Sequence, residues 1–570
     1  ANIGENLSLE GDFVNNSKYG IQFAFTSYEI ILPTSLAGIE RYLSSGLIKG
    51  VGPVTAKNIV QTFKEQTFDI IEMSPSSLAQ IKNISIKKAL EIGEKFKELK
   101  KMQNSIMFLQ KYNISTNMAM KIYEFYGANT INVVKANPYR LVEDIDGIGF
   151  MSADRIAKSI GIPQESEFRI RAGLLYTMLS STEKTGNTFL PKKMLESQSL
   201  ALLELSEETY ANLFDQALDG LVLDKTMMRM WKDNVEIVLL SKFYFYENSI
   251  AQKLAVLSCT QNIEKQNIDG EIAHFEQLNK IEFHQEQKNA INTALNNGVC
   301  VITGGPGTGK TTIVKCIIEL LKQQNQKFIL MAPTGRASKR LSDSTGEEAK
   351  TIHRALEVAQ GGNSLGNRFV YNENNPLKTD AVIVDEMSMV DAPLMSSLCK
   401  ALPRQCKLIL VGDKDQLPSV GAGNVLDDII KSQIIPVCTL TKIFRQSNDS
   451  LIITNAHLIN NGKMPIIDNH SKDFFFEEKS ELEQIKNSIV DLVTKRLPNF
   501  TKQESNQIQV LAPLKAGVCG ISNLNRILQE VVNPPSIRKM ELVVGETIFR
   551  EGDKVMQTAN NYNLVWSKMV

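Results

Sequence analysis

No two of the seven cysteines in the 570 residues (Cys259, Cys300, Cys316, Cys399, Cys406, Cys438, Cys519) form a C-x-x-C pair, and none stands at metal-ligand spacing with the five histidines. That excludes a disulfide scaffold and a zinc ribbon, and the thiols read as reduced, mostly core filler. Charge of one sign is missing too: 63 Lys and Arg stand against 63 Asp and Glu, a formal net charge of +0. Balance argues against a chain coated in polyphosphate, although a local strip of Lys and Arg suffices for a nucleic-acid groove. No apolar run is long enough to span a bilayer, and the opening ANIGENLSLEGDF lacks the basic-then-apolar order of a secretory signal. The expectation is therefore no membrane partner and a cytoplasmic location. A hydrophobic share of 43% with 22% charged residues is that of a globular chain, not a disordered one.

A chain of this length divides into roughly three to five domains. Residues 1–35 alternate apolar and polar positions around Gly20, as a few short strands from a small barrel of the OB kind would. From 36 to 165 the pattern becomes short amphipathic helices broken by glycine. Two breaks share a form, LIKGVGPVTAKNIV at 47–60 and IDGIGFMSADRIA at 145–157, and IKNISIKKALEI at 81–92 is a candidate third copy with Asn83 and Ser85 in the glycine positions. Gly50, Gly52, Gly147 and Gly149 leave backbone amides bare at helix N-termini, a form that grips DNA phosphate in helix-hairpin-helix modules. The plainer reading is a turn that only connects packed helices. Residues 166–265 read as a winged-helix-like unit without a site.

From 266 the rhythm is strand, loop, helix. The runs GVCVITG, KFILMAP, DAVIVDE and KLILVGD each end in a polar loop, as buried parallel strands do. A fifth run, IQVLAP at 508–513, points to a second α/β domain. The expected fold is thus multidomain: α/β motor domains with a parallel sheet and a phosphate loop, preceded by an all-α helix-hairpin-helix region and the winged-helix-like unit.

The sharpest motif is GGPGTGKT at 304–311, which matches G-x-x-x-x-G-K-[ST] between a strand and a helix. Gly304, Gly305, Pro306, Gly307, Thr308, Gly309, Lys310, Thr311 and Thr312 would wrap the phosphates of ATP, with Lys310 on the β and γ groups and Thr311 on Mg2+. In VIVDEMSMVD a strand delivers Asp385 to the magnesium and Glu386 to the attacking water. In LILVGDKDQLPSVGAG, Gln416 is the candidate γ-phosphate sensor, its rival reading a polar loop cap. Arg445 in IFRQ is placed to act as an arginine finger, or else as a structural arginine paired with a carboxylate. Gln287, ahead of the first strand, carries an amide suited to an adenine edge. Thr334 and Arg336 in APTGRAS and His353 in TIHRAL are candidate contacts to single-stranded DNA, and His353 reads equally as a packed or capping histidine.

In combination these residues resemble the RecD-like superfamily-1 DNA helicases, in the long form with an N-terminal helix-hairpin-helix region. The likeness runs from KYGIQF at 18–23 through LIKGVGP, GGPGTGKT, APTGRAS, TIHRAL, VDEMSMVD, GDKDQLPSVGAG, IFRQ and LAPLKAGVCGISNLN to GDKVMQTANNYNL at 552–564. It implies two RecA-like motor domains, the first over 266–440 with a hairpin insertion near 354–378, the second beginning over 441–534. It further implies an SH3-like insertion from 535 to 570, a bacterial-type cytoplasmic setting, and 5′-to-3′ travel on single-stranded DNA. The expected activity is ATP hydrolysis stimulated by DNA and coupled to strand separation in repair or recombination, on single-stranded and tailed duplex DNA. Family members continue to a Thr-His-Lys-Ser-Gln-Gly-like motif and a later arginine motif absent here, so truncation at both ends is a further expectation. The rival reading is a DNA-binding ATPase, or an ATP-switched DNA-binding protein, that does not unwind.

Overall fold

The computed structural model describes the chain apart from residues 1–5, 17–19, 46–47, 49–50, 113, 146, 260–266, 359–368, 443–449, 546 and 557–570. It divides into two compact units, residues 1–445 and 446–570.

The N-terminal strands are two long ones, Asn6–Asn16 and Gly20–Ile31, paired antiparallel as a single hairpin with a register shift at Glu10/Gly11. A few short strands were expected; one long pair forms instead, and the irregularity at Glu10/Gly11 interrupts its ladder and raises the local twist. The helical region follows. Helices Pro53–Phe63 and Phe150–Ile160 start at Gly52 and Gly149, neither with a side-chain cap. A Cβ added at either glycine would meet nothing within 4 Å, so both helix starts face open space. Gly147, at φ +98°, needs the freedom only glycine has. In the third copy Asn83 takes φ +73° and Ser85 caps helix Ile86–Gln110 by accepting from Lys88 N. Asparagine tolerates the left-handed region and serine is a natural cap, so this copy has drifted in sequence but kept its turn. The same Asn-Ile-Ser recurs at 113–115, where Ser115 precedes helix Thr116–Tyr126. Val51, Ile84 and Ile148, the middle residues of three of these turns, are buried. Gly50 lies outside the described residues.

Helix Glu167–Thr185, strand Phe189–Pro191, helices Lys192–Leu203 and Glu207–Leu223 and the hairpin Met227–Lys232/Val235–Leu240 follow in winged-helix order, the Val235 strand lying between the other two. The third helix carries no Lys or Arg, and its Asp215 and Asp219 pair with Lys192 and Arg229 of the same unit. Such an acidic helix repels DNA phosphate. A buried network ties this unit to the helical region ahead of it. Arg169 reaches Asp154 through Nε at 2.7 Å and Nη2 at 3.3 Å, Tyr139 donates to Asp154 at 2.7 Å, and Arg169 Nη1 closes on Leu203 O at 3.0 Å.

Six parallel strands make the central sheet, in the order Val437–Leu440, Val299–Gly304, Lys407–Gly412, Ala381–Val384, Phe328–Ala332, Ala349–Thr351. Side chains alternate between faces. Val299, Val301, Val382, Val384, Leu408 and Leu410 pack toward helices Ser241–Cys259 and Ala392–Ala401. Cys300, Ile302, Ile383, Ile409 and Val411 pack toward Gln285–Asn296 and Lys310–Gln323. Both faces are covered, which is why these strands read as continuous apolar runs. Helix Ser241–Cys259 leaves the winged-helix-like unit to cover one face of the central sheet, with Ser249 hydrogen-bonded to Ser396 and Lys253 donating to Leu402 O. Cys300, Cys316, Cys399 and Cys406 are buried, the core filling expected for most of the thiols; Cys259 is exposed. Beyond Leu356 the chain returns alongside itself, Val358 bridging Phe369, with 359–368 outside the described residues.

In residues 446–570 the described elements are helices and one antiparallel hairpin, Glu541–Val544 with Thr547–Arg550. The strand expected at 508–513 is not formed: the segment is irregular and Leu511 is 89% exposed. An apolar run becomes a strand only when a neighbour takes its backbone groups, and among the described residues of this unit none lies beside it. No described helix is long and apolar enough to cross a membrane.

Candidate active site

The glycine-rich loop leaves the sheet at the C-terminal end of Val299–Gly304 and enters helix Lys310–Gln323. Gly307 and Gly309 both sit at φ +85°, and the Thr308 hydroxyl donates to Gly305 O at 2.9 Å. Lys310 Nζ donates to Gly304 O and, at 3.1 Å, to Gly305 O. Burial depresses the Lys310 ammonium pKa, while the carboxylates of Asp413, Asp385 and Glu386 pull it back up.

Those carboxylates come from neighbouring strand ends. Asp385 follows Ala381–Val384, its amide donating to Met331 O and its Oδ1 accepting from Glu386 N, both at 2.9 Å. Glu386 adopts φ +53°, ψ +44°, the left-handed region a side chain rarely enters. Burial raises the carboxyl pKa of Asp385; burial and then the Asp385 charge raise that of Glu386. Asp413, at the end of Lys407–Gly412, is 3% exposed, and the next residue, Lys414, donates its amide to Thr303 Oγ1 at 3.1 Å. The strand before the glycine-rich loop and the loop that carries Gln416 are thereby joined.

The structure thus brings Lys310, Asp385 and Glu386 together, with the Thr311 side chain exposed one residue on. Gln416 is exposed on that loop, anchored by its backbone to Asp413 O. Gln287 is engaged within the protein. It is 4% exposed, its Oε1 accepts from His284 N at 2.9 Å and its Nε2 donates to Thr308 O at 3.1 Å. Its amide closes a helix cap and braces the loop. Thr334 accepts from Ala337 N as the cap of helix Gly335–Thr345, so its oxygen is engaged locally, while Arg336 is exposed on that helix. His353 lies 5.8 Å from the Phe369 ring, a packed position. Arg445 lies outside the described residues. Sequence reasoning missed Arg340, whose Nη1 stands 3.9 Å from Glu386 Oε1, and Thr303. A helical repeat of four from Arg336 was the one available hint for Arg340.

Among the described residues no group of three or more His, Cys, Asp or Glu is placed to hold a metal. The oxygen donors of Thr311 and Asp385 nevertheless fit magnesium, which takes one or two protein oxygens and fills its remaining positions with phosphate and water.

Residues 287–422 match the AAA domain family, 40–98 the SAM-like helix-hairpin-helix tandem, 98–189 the ATP-dependent RecD2 DNA helicase HHH domain and 524–565 the ATP-dependent RecD-like DNA helicase SH3 domain. The ATP-dependent RecD2 DNA helicase of Deinococcus radiodurans is 27% identical over 98% of this chain and 76% of its own length. RecBCD enzyme subunit RecD of Buchnera aphidicola is 26% identical over 68% of this chain and 77% of its own. RecD of Mycolicibacterium smegmatis is 39% identical over 26% of this chain and 30% of its own. Among solved structures, Candida albicans Pif1 helicase is 23% identical over 38% of this chain and 55% of its own, with a TM-score of 0.28. Two RecD-type domain matches on either side of the AAA match, and a relative aligned over 98% of this chain, make the sequence similar to the RecD-like helicases from the helix-hairpin-helix region through the SH3 region.

Proposed function

We propose that the chain is an ATP-driven DNA helicase that moves 5′ to 3′ on single-stranded DNA and opens tailed duplexes in repair or recombination. The observation that carries the reading is the convergence of Lys310, Asp385, Glu386 and Asp413 at the ends of adjacent parallel strands, beside a loop with two glycines at positive φ. Lys310 exchanges its two loop carbonyls for phosphate oxygens, a charge-assisted replacement. Magnesium, held by Thr311 and Asp385, supplies charge neutralisation at the phosphates. Glu386 accepts a proton from the attacking water, and its raised pKa brings it nearer the range useful to a general base. Gln416 bonds the terminal phosphate, and Arg445 completes the charge. Arg336, Thr334 and His353 offer contacts to a single strand, and the open helix starts at Gly52 and Gly149 offer contacts to duplex phosphate.

The test is ATP turnover with and without single-stranded DNA, followed by strand displacement on duplexes carrying a 5′ or a 3′ tail. Stimulated turnover with displacement only from the 5′ tail is expected. Turnover without displacement reduces the reading to a translocase, and DNA-independent turnover removes the motor.

A further inference from the structure

The first turn of helix Gln285–Asn296 holds two things at once. Gln287 braces the glycine-rich loop through Thr308 O. Its neighbour Glu286 turns to the exit of strand Val437–Leu440. Glu286 Oε2 accepts from Thr441 N at 2.8 Å and Oε1 accepts from the Thr441 hydroxyl at 2.6 Å, with Lys442 N at 3.4 Å from Oε2. The exit lies against the loop as well: Leu440 is in register with Gly304, and a Cβ on Gly304 would stand 2.9 Å from both Leu440 Cβ and Leu440 O. Five residues beyond Thr441 the chain reaches Gln446, where the second compact unit begins. A strand-end amide at an exposed position such as Thr441 is ordinarily satisfied by water. A carboxylate that takes both the amide and the hydroxyl of one residue does more, because two charge-assisted bonds fix direction as well as contact.

We propose that Glu286 is a positioning residue of the motor: it fixes the crossing between the two units at Thr441 to the same helical turn by which Gln287 braces the glycine-rich loop. Movement of the loop during nucleotide turnover is thereby delivered to the crossing, and Glu286 serves the conversion of hydrolysis into motion without touching ATP. The inference rests on the motor reading above.

The full chain is assayed with ATP and a single-stranded oligonucleotide. In Glu286→Ala the KM for ATP and the turnover without DNA stay within about twofold of the parent, while DNA-stimulated kcat and base pairs displaced per ATP fall about tenfold, the size of an ordinary coupling free energy. Thr441→Val, which keeps the amide, shows a smaller fall that Thr441→Ser restores, and the double variant is no worse than Glu286→Ala. Parental stimulation and coupling in Glu286→Ala overturn the proposal. So does an equal loss of DNA-free turnover and ATP affinity, which makes Glu286 a support of the loop alone. Should Glu286→Ala melt below the assay temperature, Glu286→Gln, which keeps one acceptor and loses the charge, is read by the same criteria. Lys310→Ala separates the two ideas: retained turnover there overturns the motor reading, whereas a dead Lys310→Ala beside a fully coupled Glu286→Ala overturns only the role of Glu286.

Discussion

Glu386 concentrates the cost of the site in one residue. It is held at φ +53°, partly buried beside another carboxylate and 3.9 Å from a guanidinium that is itself 73% exposed. Strain and desolvation of this kind persist only where the surrounding structure over-determines them. Glu386→Gln is expected to keep ATP binding, measured by a fluorescent nucleotide, and to lower turnover by about 10²–10⁴-fold, the usual share of a general base. Lys310→Ala is expected to abolish turnover while leaving the circular dichroism spectrum unchanged, since the hydrogen bonds of Lys310 among the described residues stay within its own loop. Lys310, Asp385 and Glu386 were readable because their spacing and strand context are rigid. Arg340 was not, because its closeness to Glu386 depends on how helix Gly335–Thr345 lies over the sheet, which no local pattern encodes.

At the scale of elements, the loop and the helix before it act as one piece. Gly309 sits at φ +85°, and a Cβ there would lie 2.4 Å from Gln287 Nε2. Gly309→Ala is expected to weaken nucleotide binding by roughly 5–30-fold, the equivalent of the 1–2 kcal/mol that a left-handed residue with a Cβ costs. Gln287→Ala is expected to weaken it as well, because its amide holds the loop; an equal loss for ATP and GTP marks a brace alone, and a selective loss for ATP marks an adenine contact. The amide's target was hidden in the sequence, since a glutamine four residues into a capped turn reads alike whether it faces a ligand or a carbonyl. The run at 508–513 misled for a related reason: apolar composition states that a segment is fit to be a strand, and only a neighbouring strand makes it one.

For the molecule as a whole, the buried Asp154 network decides how the helical region is joined to the rest of the first unit. Burial alone raises the Asp154 carboxyl pKa, but hydrogen bonds from Arg169, Tyr139 and Lys158 outweigh it and the net shift is downward. A depressed carboxyl stabilises the fold fully above the ordinary value of about 4 and loses that contribution as pH falls through the lowered one. Asp154→Asn is therefore expected to cost about 3–5 kcal/mol near neutrality, as when one partner of a buried pair is removed. The deficit should be seen as an early melting transition that shrinks toward the parent's behaviour in acid. A difference that stays constant from pH 7 to below pH 3 would contradict the ion-pair account.

Sequence alone determined the order of the parts: the glycine-rich loop, the acidic pair, the sensor loop and the paired Gly-apolar-Gly turns are local, because each depends on backbone angles or on a strand end within a few residues. Tertiary structure alone decided what those parts touch. The third winged-helix segment pairs its acids internally, helix Ser241–Cys259 crosses over to cover the motor sheet, and Glu286 meets Thr441 across 155 residues. Such contacts are set by the packing of whole elements, and a periodic pattern records that a face is buried without recording against what.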